Sequence, residues 1–465
     1  MLFNSIQFVY FLPIVVLLYF IFPSKKRWLI LLVSSYYFYA SWNVEYLLLI
    51  IFTTFLSYYS AIFISENNNF FWKKFYLIFS ITICISILFF FKYYNFFSYN
   101  LNNVINIFNL QIPYSNFLLP VGISFYTFQT LSYIIDVFYN KQTVEKHFGI
   151  YALYVSFFPQ LVAGPIERSY RLLPQFRVTH SFSLDNLLIG LRWIILGFFM
   201  KLVVADRLSI YVDSIYSNPF SHSGITLLVA TIFFSFQIYC DFAGYSNIAI
   251  GTAKILGYDL MVNFKRPYFS KSFSDFWNRW HISLSTWFRD YFYIPLGGNR
   301  VTKVRNFVNI SATFLISGLW HGANWTFVVW GGLHAIYLII ESIINFGISQ
   351  KDLKIIKLVK ILFIFILVNI AWIFFRADNV TEGIHICKKI IFDKGPLFFN
   401  AKVMFFSILG ILLLITNDLI EEFYFKGESL KSSNSQFSSI YYAILFCFIL
   451  FLGVFNGGQF IYFQF

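Results

Sequence analysis

Apolar runs recur along the whole of this 465-residue chain, and they constrain its fold more than any other feature. They cover residues 6–22, 28–42, 46–64, 75–91, 117–138, 187–204, 225–250, 325–340, 355–375, 403–415 and 440–454. A helix needs roughly 17–25 apolar residues to cross the hydrocarbon of a bilayer, where a spanning segment must satisfy all its own backbone hydrogen bonds. The pattern predicts an all-α polytopic membrane protein with about 10–13 membrane helices, the shorter ones tilted or re-entrant. Only 12% of the residues are charged, against about 25% in a soluble domain, too few to cover a water-facing surface. Residues 6–22 are apolar enough for a signal-peptide core. No basic stretch precedes them and no small-residue cleavage site follows, so they read as a retained helix.

No linker rich in Pro, Gly or Ser divides the sequence and no internal repeat stands out, so residues 1–465 read as one membrane domain. Residues 67–69 and 95–109 read as surface loops. Lysines at 351, 354, 357 and 360 have the spacing of an amphipathic interfacial segment. The net charge of +13 belongs to short loops and does not point to nucleic acid. Lys25, Lys26 and Arg27 follow the first run and Lys73 and Lys74 come two runs later, which puts these loops in the cytoplasm and the N-terminus outside. Cys84, Cys240, Cys387 and Cys447 are scattered through apolar runs, supporting neither a disulfide framework nor a metal site.

Residues 254–305 differ from the rest. Nine basic residues against three acidic ones give this stretch +6 of the chain's +13, interleaved with Trp277, Trp280 and Trp287. Such a segment cannot span lipid and is expected at the cytoplasmic face or as a re-entrant loop. Two readings stand: an aromatic and basic membrane anchor, or a site for an anionic donor such as a CoA phosphate.

Two histidines sit where solvation disfavours them. His281 lies in Asp275-Phe-Trp-Asn-Arg-Trp-His-Ile-Ser and His321 in Ser317-Gly-Leu-Trp-His-Gly-Ala-Asn-Trp325, at the head of an apolar run. Ionisable residues at membrane depth face a cavity or a polar partner, and imidazole suits base catalysis near neutral pH. The competing reading for each is a hydrogen-bonded structural histidine. On a continuous helix His334 turns away from the His321 face, and it and His385 read as structural. Gln237, Asp241 and Tyr245 form one polar stripe at i, i+4 and i+8, either a structural link through Asp241 or a tunnel lining. No nucleophile elbow, His-Glu-x-x-His or Walker A motif is present.

Several long motifs then occur in order: Pro120-Val-Gly-Ile-Ser-Phe, Phe158-Pro-Gln-Leu-Val-Ala-Gly-Pro-Ile-Glu-Arg168, residues 275–300 ending Tyr-Ile-Pro-Leu-Gly-Gly-Asn-Arg, the His321 motif, and Gln459-Phe-Ile-Tyr-Phe-Gln-Phe465. Over essentially the whole chain the sequence resembles the membrane-bound O-acyltransferase superfamily, in its bacterial alginate O-acetylation branch. The resemblance implies a funnel or tunnel through the bacterial cytoplasmic membrane. His321, in the catalytic region 311–345, would be the general base, with His281 as the second catalytic residue. Arg279, Arg289, Trp280 and Asn324 are candidates for binding the donor, and Asp241 and Gln237 for lining the tunnel. It further implies acetyl-CoA as a cytoplasmic donor, no bound cofactor, and an exported polysaccharide as acceptor, alginate-like or peptidoglycan. An SGNH-hydrolase-like partner outside the membrane would complete transfer. Transfer of D-alanine to teichoic acid is the close alternative, and a transporter or flippase the alternative from another class, for which internal repeats would be expected.

The charge pattern makes a topological prediction. With a single cysteine placed at Lys303, an impermeant thiol reagent labels the protein only after the cells are permeabilised. Labelling of intact cells would put residues 254–305 outside.

Overall fold

The computed structural model describes residues 1–162, 164–344, 353–424, 436–455 and 460. Lys351, Ala163 and all of the closing 459–465 motif except Phe460 lie outside the described residues. Among the described residues the chain is helical, with no strand. Seven stretches are long and apolar enough to cross a membrane: Val44–Glu66, Phe70–Phe108, Leu184–Tyr216, Gly224–Ile255, Trp325–Ile344, Lys354–Arg376 and Ala401–Phe423. Ile6–Ile21 and Ser438–Leu452 are shorter apolar helices.

Backbone proximity divides the chain into two compact units, residues 1–194 with 248–261, and residues 195–247 with 262–465. The first holds α1 (Ile6–Ile21), α2 (Arg27–Ala40), α3 (Val44–Glu66), α4 (Phe70–Leu88), α5 (Tyr94–Ile105), α6 (Ile123–Phe138), α7 (Phe148–Ser156), α8 (Phe158–Leu161), α9 (Ser169–Arg177) and most of α10 (Leu184–Phe198). The second holds α11 (Asp206–Tyr216), most of α12 (Gly224–Ile255), α13 (Phe273–Arg279), α14 (Ile282–Phe288), α15 (Lys303–His321), α16 (Trp325–Ile344), α17 (Lys354–Arg376), α18 (Val380–Phe392), α19 (Ala401–Leu419) and α20 (Gln436–Leu452).

In the first unit two of the sequence motifs meet. Gly122 adopts φ +75, and a Cβ there would lie 2.6 Å from the Leu161 carbonyl oxygen, so only glycine lets α6 start against α8. Gln129 and Gln160 both donate to the Tyr154 carbonyl, at 2.7 and 2.8 Å. Buried Glu167 accepts the Met261 amide.

Residues 67–69 form the expected break between helices, but the loop expected at 95–109 is largely helix α5. Its asparagines work sideways. Asn102 exchanges hydrogen bonds with both backbone groups of Ile112, at 2.8 and 3.0 Å, and Asn95 does the same with Ser115, both at 2.8 Å. They pin the chain that follows against α5. From Lys354 on, the lysine segment expected at the interface forms the start of the 23-residue α17. Nothing breaks the helix after Lys360, so Lys354, Lys357 and Lys360 sit on the first turns of an apolar span, where long side chains can reach a polar boundary.

In the second unit α15 and α16 form a tight hairpin. A Cβ on Gly318 would lie 2.3 Å from the Phe327 carbonyl oxygen, and one on Gly331 2.2 Å from that of Phe314. Small residues at such crossings let helix backbones approach where lipid offers no hydrophobic drive. Deeper in this unit Lys201 Nζ pairs with Asp241 Oδ1 at 2.5 Å and with Asp206 Oδ1 at 2.8 Å, all three side chains within 2–4% exposure. Tyr245, one turn on from Asp241, holds its ring 5.6 Å from the same ammonium. Asp241 and Tyr245 of the α12 stripe thus face a buried cation from a neighbouring helical segment.

Removing one partner of a buried ion pair costs about 3–5 kcal/mol because the other charge is left stranded. Lys201→Ala should therefore lower the thermal unfolding midpoint of the detergent-solubilised protein sharply, and Lys201→Arg much less. An unchanged midpoint for Lys201→Ala would show that the triad carries no stability.

Candidate active site

The two singled-out histidines come together in the second unit, and both are held by backbone irregularities. α15 ends at His321, where Gly322 leaves the helix at φ −160, ψ 150. A Cβ on Gly322 would lie 2.0 Å from the Phe327 ring, so the exit needs glycine. Asn324 restarts the helix as α16. Its Oδ1 accepts the Thr326 amide at 3.1 Å, and its Nδ2 donates to the Asp378 carbonyl at 2.8 Å.

His281 sits between α13 and α14 with φ 42, ψ 54, a left-handed conformation that costs a residue with a Cβ. Neighbouring bonds hold it there. The Lys265 amide donates to the Arg279 carbonyl at 2.9 Å and the Ile282 amide to the Asn263 carbonyl at 3.0 Å. The buried Asn263 side chain accepts from the Ser283 amide (3.1 Å) and hydroxyl (3.0 Å) and donates to Ser246 Oγ (3.3 Å). Residues 263–265 thus clamp the corner on which His281 stands.

The imidazole centres of His281 and His321 lie 6.4 Å apart, with exposures of 0% and 2%. Aromatic rings enclose them: Phe242 at 4.5 Å from His281, and Trp320, Trp330 and Phe375 at 5.0, 5.0 and 5.4 Å from His321. Two imidazoles in a dry aromatic enclosure can relay a proton to or from a hydroxyl seated between them while keeping water away. Among the described residues no cluster of His, Cys, Asp and Glu could hold a metal ion.

His334 does not point away as a continuous helix would require, because the chain reverses between α15 and α16. Its ring lies 4.9 Å from Trp330, the residue that also touches His321. Both its ring nitrogens are buried without a hydrogen-bond partner among the described residues, and Trp277 packs 5.0 Å from it.

The basic residues sort into two groups. Arg279 pairs with Asp275 at 2.8 Å and with Glu422 at 3.1 Å, and Arg266 with Glu422 at 2.7 Å. Burial alone would lower the Arg279 pKa, but the hydrogen bonds with Glu422 and Asp275 hold it above its ordinary value. Arg289 pairs with its neighbour Asp290 at 2.8 Å. Lys265, Arg300, Lys303 and Arg305 are exposed and have no ion-pair partner among the described residues. Trp280 is 1% exposed and packs 4.9 Å from Trp372, as part of the wall behind His281. Gln237 is buried too, its carbonyl oxygen without a partner among the described residues.

Asn263, Trp330 and Phe375 carry no signal of their own in the sequence: Asn263 is an uncharged residue in a basic stretch, and the other two look like ordinary apolar filling.

Residues 138–377 match the model of the MBOAT, membrane-bound O-acyltransferase family. The chain is 40% identical to a probable alginate O-acetylase of Azotobacter vinelandii over 307 residues, 66% of this chain and 60% of that protein. It is 35% identical to a peptidoglycan O-acetyltransferase of Helicobacter pylori over 345 residues, 69% of this chain and 65% of that one. A teichoic acid D-alanyltransferase of Streptococcus thermophilus is 34% identical over 243 residues, 49% of this chain and 57% of its own length. The chain therefore spans less than two thirds of the length of each of these relatives.

The clamp on His281 is testable without an activity assay. Asn263→Ala strands the Ser283 amide, and an unsatisfied buried donor costs about 1–3 kcal/mol. The unfolding midpoint should fall, and amide exchange at residues 281–283 should speed up. Unchanged exchange there would mean that another contact holds the corner.

Proposed function

The chain belongs to the membrane-bound O-acyltransferase family, and on that premise we propose that it moves an acyl group, acetyl from acetyl-CoA, to hydroxyls of an exported glycan. The observation that carries this reading is the buried pair His281–His321, 6.4 Å between ring centres, walled by aromatic side chains. A single acceptor oxygen can lie about 3 Å from a nitrogen of each ring in such a gap, which is hydrogen-bond reach.

His321 is the general base. As the acceptor oxygen attacks the thioester carbonyl carbon, its proton passes to the His321 imidazole. The tetrahedral intermediate collapses, the carbon–sulfur bond breaks, and the thiolate takes that proton from the imidazolium. The products are an ester and a free thiol, with no covalent acyl-enzyme. His281, fixed by the Asn263 clamp, orients the acceptor hydroxyl, and holding both substrates in one dry enclosure supplies much of the acceleration. The exposed cations Lys265, Arg300, Lys303 and Arg305 attract the donor's phosphates from the cytoplasm. Arg279 and Arg289 are engaged by carboxylates and support this face of the protein.

The acceptor glycan reaches the site from outside the bacterial cytoplasmic membrane, presented by an SGNH-hydrolase-like partner. The higher identity and coverage against the two O-acetylating relatives favour acetyl over D-alanyl transfer.

Replacing a general base lowers the rate by about 10²–10⁴-fold. His321→Ala should abolish glycan O-acylation at unchanged membrane abundance, and His281→Ala should reduce it less. His334→Phe should be mild, since it removes a buried polar group that makes no hydrogen bond. Feeding labelled acetate or labelled D-alanine identifies the group transferred. Near-normal transfer by a stably inserted His321→Ala protein would remove His321 from the mechanism.

A further inference from the structure

A groove of about 560 Å³ lies between α19 and α20, walled by apolar side chains that include Phe405, Phe406, Leu409, Ala443, Cys447 and Phe451. Phe405 is 62% exposed and Phe451 84%. The groove's volume is that of a ligand cleft, and it opens on a surface that faces lipid if these helices cross the membrane.

What distinguishes this groove from other apolar surface is Arg207. This residue, on α11, donates from Nη2 to the carbonyl of Leu452, the last residue of α20, at 2.5 Å. Its guanidinium lies 5.1 Å from the ring centre of Phe406. Leu452 and Phe406 both line the groove, so the guanidinium, itself not part of the lining, lies beside the groove at the end of α20. Arg207 has no carboxylate partner among the described residues, and its Nε is buried without a hydrogen bond. The neighbouring carboxylate, Asp206, is turned to Lys201 instead. The Leu452 carbonyl takes one N–H of this cation without neutralising its charge, and guanidinium is matched in shape and charge by a phosphate.

We propose that the α19–α20 groove binds one glycerophospholipid, with an acyl chain along the groove and the phosphodiester on Arg207. Charge complementarity selects this occupant: a second copy of the chain or a foreign apolar helix would fill the groove and leave the guanidinium without its anion. The headgroup beyond the phosphate is not specified by these contacts.

The test uses the purified full-length protein in nanodiscs, with phosphatidylglycerol carrying a photoreactive group in one acyl chain. A diacylglycerol with the same chain serves as the phosphate-free control. Cross-linked peptides should concentrate at residues 405–409 and 443–451 with the phospholipid and not with the control. Arg207→Gln should lower that labelling about tenfold, as expected for loss of a hydrogen bond to a charged group, while Arg207→Lys should keep most of it. Ala443→Trp, which fills the groove away from Arg207, should abolish it. Labelling spread evenly onto α4, equal labelling by diacylglycerol, or indifference to Arg207→Gln would overturn the proposal. So would thiol cross-linking of two copies through Cys447 without lipid labelling. If the Arg207→Gln protein does not insert, persistent labelling of Ala443→Trp overturns the proposal by itself.

Discussion

A buried backbone amide that leaves the helical ladder must find another acceptor, and the candidate site depends on how residues 263–283 meet that demand. Asn263 uses its carbonyl for Ile282 and its side chain for Ser283, while Arg279 accepts from Lys265. These bonds let the chain turn sharply between two short helices and hold His281 in a left-handed conformation that a side chain otherwise disfavours. The second interruption, at Gly322, ends α15 on His321. Each histidine therefore stands at a helix end, where the backbone changes direction and a side chain can face inward.

Burial of charge follows a related rule. Lys201 neutralises part of the charge of Asp206 and Asp241, and the carboxylates of Glu421, Glu422 and Asp275 gather Arg266 and Arg279. These networks take up side chains that look like ligand-binding groups in the sequence. What is left over is informative: Lys265, Arg300, Lys303 and Arg305 on the basic stretch, and Arg207 beside the α19–α20 groove. Cations with no carboxylate partner among the described residues are where an anionic ligand gains most, because no existing ion pair has to be broken to bind it.

The aromatic richness of the chain acquires a role in the same way. Trp320, Trp330 and Phe375 around His321, and Phe242 beside His281, pack their rings against the imidazoles and keep water away from them. Such an enclosure protects a thioester from hydrolysis and strengthens the electrostatics of any proton transfer within it. Trp330 also stands between His321 and His334, so three buried histidines lie in one neighbourhood while only two face each other closely.

The sequence by itself determined the helical membrane class, because long apolar runs leave the backbone no other way to satisfy its hydrogen bonds. It also determined which two histidines stood out, His281 and His321, because an ionisable imidazole beside or within an apolar run is costly to solvate and each lies in one of the long motifs. Only the tertiary structure decided that these two, 40 positions apart, lie with ring centres 6.4 Å from one another. It alone decided that His334 returns to the same cluster, since helical phase carries no information across the break at Gly322. The partners of Arg279 and Asp241 were likewise settled by packing: Glu422 and Lys201 are remote in sequence, and periodicity describes a helix face without saying what lies opposite it.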